Sequence, residues 1–259
     1  MVKNDNISYR NSEYPQFRPP NGYTKNISSL VSVLKPLQLD LLAVEEINND
    51  DYWKKLCEQL DLNNFITGKC DEWFLSNGIA SRYPILSYSN HVYKASGEAR
   101  AFLQCQLAGD HSFVQNRSFA VTHLDHVNED NRLAQINYFQ PNIDILMGDM
   151  NALTEDDYTE SYYRRIVAGK REESQWEKPR FDLTDLITRQ WGYQDAFRLA
   201  NSELKDESVA TCAYGTRIDY IYLRPRENDP WKLTKCSIVD SGEATDHNIV
   251  FAEFTREQS

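Results

Sequence analysis

The stretch Ile143-Asp144-Ile145-Leu146-Met147-Gly148-Asp149-Met150-Asn151 decides the fold of this chain. It is an apolar run bounded by polar residues, which is typical of a buried strand that reaches the surface at its end. Asp149 and Asn151 stand two residues apart, so on an extended chain both would face one small ligand. Gly148 would allow a turn or a close backbone approach there. A lone Gly-Asp-x-Asn more often marks only a strand and an Asx turn, so the interpretation depends on how the other strands end.

Length, hydrophobic content and net charge limit the classes of protein to which this chain can belong. The chain has 259 residues and 41% hydrophobic content, which is enough for one sizeable core and fits a single α/β domain as well as two small ones. The net charge of -11 argues against a protein that coats DNA through counterion release. An enzyme that meets phosphates through a bound metal ion stays possible, because the ion inverts the local charge.

Cysteines and apolar runs indicate the compartment. The five cysteines are scattered and show no metal-ligand spacing, which favours reduced thiols, with one or two disulfides left open. The start, Met1-Val2-Lys3-Asn4-Asp5, lacks the apolar region of a signal peptide, and no run is long enough to span a membrane. We expect an intracellular protein, cytoplasmic or nuclear, unless the N-terminus belongs to a fragment.

Helical and strand patterns alternate along one uninterrupted chain, which favours a single α/β domain over residues 1–259. Apolar residues at helical spacing predict helices over residues 24–37, 53–60 and 131–139. Apolar or alternating runs predict strands over residues 39–44, 73–79, 99–107, 117–122, 143–149, 217–223 and 249–254. The polar stretch 154–186 is expected to hold one or two surface helices.

Acids, amides and histidines recur where the predicted strands end: Glu46, His123, Asp149, Asn151, Asp219, Asp246 and His247. A metal-assisted phosphoester hydrolase needs such a set. Mg²⁺ or Mn²⁺ takes one or two carboxylates and completes its shell with water and phosphate oxygens. A water must also be deprotonated in line with the phosphorus, and the leaving oxygen must receive a proton or a metal.

The order of these residues resembles the endonuclease/exonuclease/phosphatase superfamily over roughly residues 24 to 256. One motif alone is weak, whereas six in family order make a strong signal. The motifs are Asp40-Leu41-Leu42-Ala43-Val44-Glu45-Glu46-Ile47, Asn77-Gly78-Ile79-Ala80-Ser81-Arg82-Tyr83-Pro84-Ile85, Thr122-His123-Leu124-Asp125, Gly148-Asp149-Met150-Asn151, Arg217-Ile218-Asp219-Tyr220 and Thr245-Asp246-His247. The resemblance implies a deoxyribonuclease I-like four-layer α/β sandwich, in which helices flank two packed mixed β-sheets.

The resemblance also implies roles for the first residues of the set. Glu46 matches the family's metal-binding glutamate. His123 matches a histidine that contacts the phosphate or assists the leaving group. Asp149 and Asn151 match the pair that orients the nucleophilic water and the scissile phosphate.

Three further positions follow from the C-terminal motifs. His247 resembles the family's terminal histidine, a phosphate contact or general base, and Asp219 matches the acid that orients it. Asp246 matches a further metal-site or water-positioning carboxylate. Arg100 is a candidate phosphate contact, with an exposed strand arginine as the alternative.

The chain departs from the family pattern near its start. Glu45 stands where the family usually has Gln, which adds a negative charge. The family opens with an apolar strand that ends in a catalytic Asn, and here the lead-in before Asn6 holds only Val2 as an apolar residue. That strand is therefore degenerate or truncated. We assign the metal-site role to Asn6, with Asn4 as the other choice.

The resulting prediction is a monomeric, Mg²⁺- or Mn²⁺-dependent phosphoester hydrolase, most simply a nuclease or phosphodiesterase acting through in-line attack of water. A phosphatase or phosphodiesterase for a small or lipid phosphoester is one alternative. A catalytically silent binding module of the same fold is another, because function lives in the site rather than in the fold. The aromatic-rich insert 158–176 would stack exposed bases, cover a smaller phosphoester, or form an ordinary surface helix packed by tyrosines.

Overall fold

The strands of this protein form two mixed sheets and one hairpin in the computed structural model, which describes residues 2–3, 24–47, 51–70 and 76–257. In chain order the strands of this part are β1 Val2–Lys3, β2 Leu41–Ile47, β3 Asn64–Gly68, β4 Ser76–Ser81, β5 Ile85–Tyr93, β6 Arg100–Leu107, β7 Ser118–Thr122, β8 Ile145–Asp149, β9 Gln194–Asp195, β10 Asp219–Leu223, β11 Trp231–Val239 and β12 Ile249–Arg256. The first sheet has the order β1-β2-β4-β3, the second the order β5-β6-β7-β8-β10-β9, and β11 pairs with β12.

Helices lie between these strands. The α-helices are α1 Thr24–Leu34, α2 Asp51–Gln59, α3 Glu129–Phe139, α4 Glu160–Tyr162, α5 Gly169–Glu173, α6 Asp182–Asp185 and α7 Ala196–Ala200. π-Helical turns, Tyr163–Ala168 and Leu186–Gln190, continue α4 and α6, and 3-10 turns occupy Lys35–Leu37, Glu155–Asp157 and Asp206–Val209. None of the helices in the described ranges is both long and apolar enough to cross a membrane.

The central strands are apolar on both faces because each face is covered. Ala43 of β2 and Met147 of β8 lie in one core between the two sheets. Their neighbours Leu42 and Leu146 point the opposite way, as the two-residue period of a strand requires. Leu42 packs with α1 and α2, whereas Leu146 packs with α3 and the 182–190 helix. These contacts give the layer order helices, sheet, sheet, helices, and they confirm the expected four-layer sandwich.

The structure contains strands that the sequence patterns did not predict, namely β3, β5, β9 and β11. β3, β5 and β9 lie at edges of the two sheets, and β11 pairs only with β12 among the described strands. One face of β5 is largely solvated, so its sequence carries polar residues where a buried strand would have apolar ones. The expected strand 73–79 begins at Ser76 within the described residues, and its first positions lie outside them.

The N-terminal strand is short. β1 has 2 residues and pairs in parallel with β2, with Val2 opposite Val44 and Lys3 opposite Glu45. The expected catalytic amide, Asn6, and its alternative, Asn4, lie outside the described residues. All five cysteines (Cys57, Cys70, Cys105, Cys212 and Cys236) are buried thiols, the reduced state that their scattered spacing favoured.

Candidate active site

The predicted site residues gather at one edge because of strand direction. β7 and β8 run in parallel, so His123, which follows β7, and Asp149, the last residue of β8, are at the same edge. β10 runs antiparallel to β8 and begins there, with Asp219 directly opposite Asp149. His247 lies just before β12. Four strands therefore bring their polar ends together.

Gly148 makes the close packing of β7 and β8 possible. Its φ angle is 153°, a backbone conformation that L side chains rarely adopt. A Cβ atom at this position would lie 1.9 Å from the carbonyl oxygen of Thr122, the residue before His123. Only glycine fits, so Gly148 sets the spacing between His123 and Asp149.

Asp149 and Asn151 do not lie on one extended segment, contrary to the expectation from the strand pattern. β8 ends at Asp149, and Asn151 has a φ angle of 49°, in the left-handed region that Asn tolerates. Its backbone N–H donates to Asp149 Oδ1 (2.8 Å), which is an Asx turn. Its side-chain amide donates to the carbonyl of Leu124 (3.0 Å), so Asn151 is held against the loop that carries His123.

A β-bulge at the end of β2 brings in two more carboxylates. Val44 pairs with Gly78 and Ile47 with Ser76, so Glu45 and Glu46 together oppose one residue of β4. Glu46 adopts a positive φ of 55°. The fully buried Glu45 accepts a hydrogen bond from the backbone N–H of Asp149 (3.1 Å). The bulge thus directs Glu45 to the backbone at the end of β8 and leaves Glu46 beside His123.

His123 lies between two carboxylates. Its Nδ1 is 3.5 Å from Glu46 Oε1, and its Nε2 is 3.6 Å from Asp149 Oδ2. In its doubly protonated form, the ring can donate to both acids. His123 therefore connects the acid of β2 to the acid of β8.

His247 and Asp219 form a buried dyad. The Nδ1 atom of His247 is 2.8 Å from Asp219 Oδ2, and both side chains are buried. The hydroxyl of Thr211 accepts the backbone N–H groups of Ile218 (3.0 Å) and Asp219 (3.3 Å), which fixes the start of β10. An imidazole that donates Nδ1–H to a carboxylate carries its lone pair on Nε2, the arrangement that a general base needs.

Asp149, Asp219 and His247 form the group most able to share a small ligand. One ligand atom from each lies within 4.8 Å of the others, and all three residues are buried. With Glu45 and Glu46 nearby, the edge concentrates negative charge that water hardly screens. Such a cluster favours a cation in its midst.

Asp246 and Arg100 are not among the three residues of this group. Asp246 is exposed and accepts the Thr245 hydroxyl (3.3 Å), next in the chain to the buried His247. Arg100, at the start of β6, is buried and donates to Glu98 Oε2 (2.6 Å). The Nδ1 atom of His126 lies 3.5 Å from the Arg100 guanidinium. Arg100 is thus held beside the His123 loop rather than exposed on its strand.

Asp125 organises that loop. Its buried carboxylate accepts the backbone N–H groups of Val127 (2.8 Å) and Asn128 (3.0 Å). Asn128 in turn caps α3 by accepting the N–H of Asn131 (2.9 Å). Asp125 belongs to the Thr122-His123-Leu124-Asp125 motif, but the family resemblance assigns it no role, and its spacing from Asn128 gives no separate signal.

Arg217, within the motif that carries Asp219, supports the fold. Its fully buried guanidinium donates to both oxygens of Asp157 (2.8 and 3.0 Å) and lies 2.6 Å from Asp195 Oδ2. Burial alone would lower its pKa, but the two carboxylates outweigh burial and hold the pKa of Arg217 well above its usual value. This ion-pair network fixes the 155–157 turn against β10.

A sizeable cavity lies elsewhere. A cavity of about 580 Å³ is lined by Leu41 and Ile145, which begin β2 and β8, and by Phe254. Glu46 and Asp149 lie near the opposite ends of those strands. The cavity and the acid–histidine cluster are therefore at different ends of the sandwich.

Fold and site together define a class: α/β sandwiches that collect acids and histidines at one edge of two mixed sheets. The family model described as "Endonuclease/Exonuclease/phosphatase family" matches residues 11–247. The chain belongs to this family, whose named members are hydrolases of phosphoesters. Among curated proteins, none matches the chain.

Solved structures share the fold. An endonuclease/exonuclease/phosphatase from Beutenbergia cavernae DSM 12333 superposes with a TM-score of 0.64 at 14% identity, over 91% of this chain and 67% of that one. D. rerio TDP2, complexed with single strand DNA product, superposes with a TM-score of 0.61 at 16% identity, over 89% of this chain and 91% of that one. A functionally unknown conserved protein from Enterococcus faecalis V583 superposes with a TM-score of 0.60 at 15% identity, over 90% of this chain and 91% of that one.

Proposed function

We propose that this protein is a divalent-metal-dependent phosphodiesterase of the nuclease type. The observation that carries the proposal is the His247–Asp219 dyad, hydrogen-bonded at 2.8 Å and set against the buried carboxylate of Asp149. A dyad of this kind accepts a proton from water, and a neighbouring acid orients that water.

The donor set fits a hard cation. Glu46 and Asp149 offer carboxylate oxygens on either side of His123, and oxygen is the ligand that Mg²⁺ and Mn²⁺ prefer. We assign the metal to Glu46, with Asp246 as a further candidate and Asn6 as the predicted amide ligand, and the nearby charge of Asp149 would strengthen binding. Asn4 is the next residue after β1 and stays the other choice. When bound, the ion would polarise the phosphate and offset the charge of the leaving oxygen.

The other catalytic roles belong to side chains of the protein. His247, oriented by Asp219, takes the proton of the attacking water through Nε2. Asp149 accepts a hydrogen bond from that water and so orients it. Asn151 and His123 act as donors to the phosphate oxygens, where fixed donors contribute most. Arg100, fixed by Glu98, supplies a positive charge next to the His123 loop.

For the substrate we propose single-stranded nucleic acid. The structural neighbour TDP2 was solved with single strand DNA product. The net charge of -11 disfavours a long duplex, whose binding grows with the number of neutralised phosphates. A short single strand needs fewer such contacts.

The test is hydrolysis of bis-p-nitrophenyl phosphate, single- and double-stranded DNA, RNA, sphingomyelin and inositol phosphates with Mg²⁺, Mn²⁺ or EDTA. We expect metal-dependent cleavage, fastest on single strands. Asp149→Ala and His247→Ala should each lower kcat by about 10²–10⁴-fold, as expected for lost general acid–base catalysis. His91→Ala, on an exposed histidine of β5, is the matched control and should stay active. Full activity in either site variant would refute the assignment.

A further inference from the structure

An aromatic pair, Trp176 and Tyr214, stands beside the candidate active site. Their ring centroids are 4.8 Å apart with an interplanar angle of 83°. Trp176 is 38% exposed and Tyr214 51%, unusually high for rings of this size. A perpendicular contact covers the face of only one ring, so much of the pair's aromatic surface faces solvent.

Tyr214 is tied to the His247 side of the site. Cys212 forms an isolated antiparallel bridge with His247. Cys212 and Gly215 form a tight turn, in which the Gly215 N–H donates to the Cys212 carbonyl (3.1 Å), and Tyr214 is part of this turn. Tyr214 is two residues from Cys212, a span of at most about 7 Å, so it lies near the segment that pairs with His247.

Trp176 is tied to the opposite, His123 side. The next residue, Glu177, accepts the backbone N–H of Glu129 (2.8 Å), at the start of α3, and contacts Arg132. Arg132 in turn donates to the carbonyl of Asp125 (3.1 Å), two residues after His123. The segment 170–177 thus runs along one flank of the site from the Tyr214 turn to the His123 loop.

The contacts that hold the pair also supply positive charge. Lys170 donates to the carbonyl of Tyr214 (3.1 Å) while its side chain stays partly exposed. The hydroxyl of Tyr162 donates to the carbonyl of Gly215 (2.9 Å) and so holds the turn in place. The insert is therefore fixed by several hydrogen bonds.

We propose that Trp176 and Tyr214 form a stacking site for an unpaired base of the substrate, next to the scissile phosphate. This inference rests on the proposed function. In a duplex the faces of the bases are covered by their neighbours, so exposed rings select single strands. Inositol and simple alkyl phosphoesters offer no aromatic face. Lys170 then pairs with a phosphate that flanks the stacked base.

The test compares two oligonucleotides, one single strand with all its bases and one with abasic residues around the cleaved linkage. Trp176→Ala and Tyr214→Ala should each lower kcat/KM on the first by about 5- to 100-fold, the size of one lost stack, and leave the second unchanged. Trp176→Phe should restore most of the loss. Tyr88→Ala, at a 61% exposed tyrosine on β5, is the matched control. Equal losses on both substrates, or no loss on either, would overturn the inference.

A binding measurement in EDTA separates this inference from the proposed chemistry. By fluorescence anisotropy, the wild-type chain should prefer the complete strand over the abasic one, and Trp176→Ala should abolish the preference. That result supports the stacking site even if no substrate is hydrolysed. Metal-dependent hydrolysis without any preference for bases would leave the proposed function standing and overturn the stacking site.

Discussion

Glu45 shows how one buried oxygen supports the acids at the site. The family usually has Gln at this position, and the carboxylate here performs a task that an amide oxygen also can: it accepts the N–H of Asp149. That N–H is at the end of β8, where the backbone has no room to move because Gly148 abuts Thr122. A buried N–H without an acceptor costs about 1–3 kcal/mol.

We therefore expect Glu45→Gln to unfold in urea with nearly the wild-type free energy and Glu45→Ala to lose about 1–3 kcal/mol. The amide keeps an acceptor oxygen and removes one negative charge from the cluster. If both variants were equally destabilised, the charge rather than the hydrogen bond would be the important property of Glu45.

Gly148 leads to a second prediction at this scale. Gly148→Ala should fail to fold or lose more than about 3 kcal/mol, because the new methyl overlaps a backbone carbonyl that cannot retreat. Gly192→Ala is the matched control, since Gly192 also has a positive φ, 74°, but nothing lies within 4 Å of the added atom. That change should cost about 1–2 kcal/mol by circular dichroism melting. Similar losses in both variants would contradict this account of Gly148.

Among the elements, the Glu98–Arg100–His126 group links β6 to the loop after β7. The hydrogen bond to His126, together with the charge of Arg100, lowers the pKa of Glu98 from its ordinary 4.5 despite partial burial. A lowered carboxyl pKa means that the folded state favours the ionised form. The stabilisation is complete above the unfolded pKa and is lost as pH falls through the folded one.

The difference in unfolding free energy between wild type and Glu98→Gln should therefore be constant near neutral pH and shrink below pH 4.5. Chemical denaturation at a series of pH values measures it. Asp40→Asn removes an ion pair with Arg82 whose side chains are 60% and 49% exposed, and it should show little effect at any pH. A constant difference down to pH 3 or so would contradict the linkage.

The strands also show which parts of the fold can be predicted from sequence patterns. β2, β6, β7, β8 and β10 were predictable because strands covered on both faces read as apolar runs, and their polar ends then marked Glu46, His123, Asp149 and Asp219. β5 and β11 were not, because an edge strand can carry polar residues on its open face. The bulge at Glu45 and the meeting of Trp176 with Tyr214 depend on residues far apart in the chain, and the Thr211 hydrogen bonds depend on how the loop before β10 folds. No local period encodes them.

For the whole molecule, the proposed cation site predicts that stability depends on a divalent ion. Glu45, Asp149 and Asp219 are each buried, and Glu46 lies beside them. Their mutual repulsion opposes folding in the absence of metal, and a bound divalent ion would reverse it. A ligand at about 100 times its Kd adds about 2.7 kcal/mol of stability.

Mg²⁺ or Mn²⁺ should accordingly raise the wild-type Tm by several degrees in differential scanning fluorimetry. Asp149→Asn should melt at or above the wild-type Tm in EDTA, because one buried charge is gone, and should gain little from Mg²⁺. The absence of any shift in the wild type would favour the catalytically silent binding module.

The buried cysteines have a consequence for how the layers of the sandwich separate. Burial raises the pKa of Cys105 and Cys236, both in the core between the sheets, to about 12, so near neutral pH these thiols are protonated and inert. Cys57, a residue of α2, lies instead in the core that α1 and α2 form with β2. An alkylating reagent can modify each of them only after its own layer has separated. The order in which the thiols become labelled therefore shows which interface between the layers separates first.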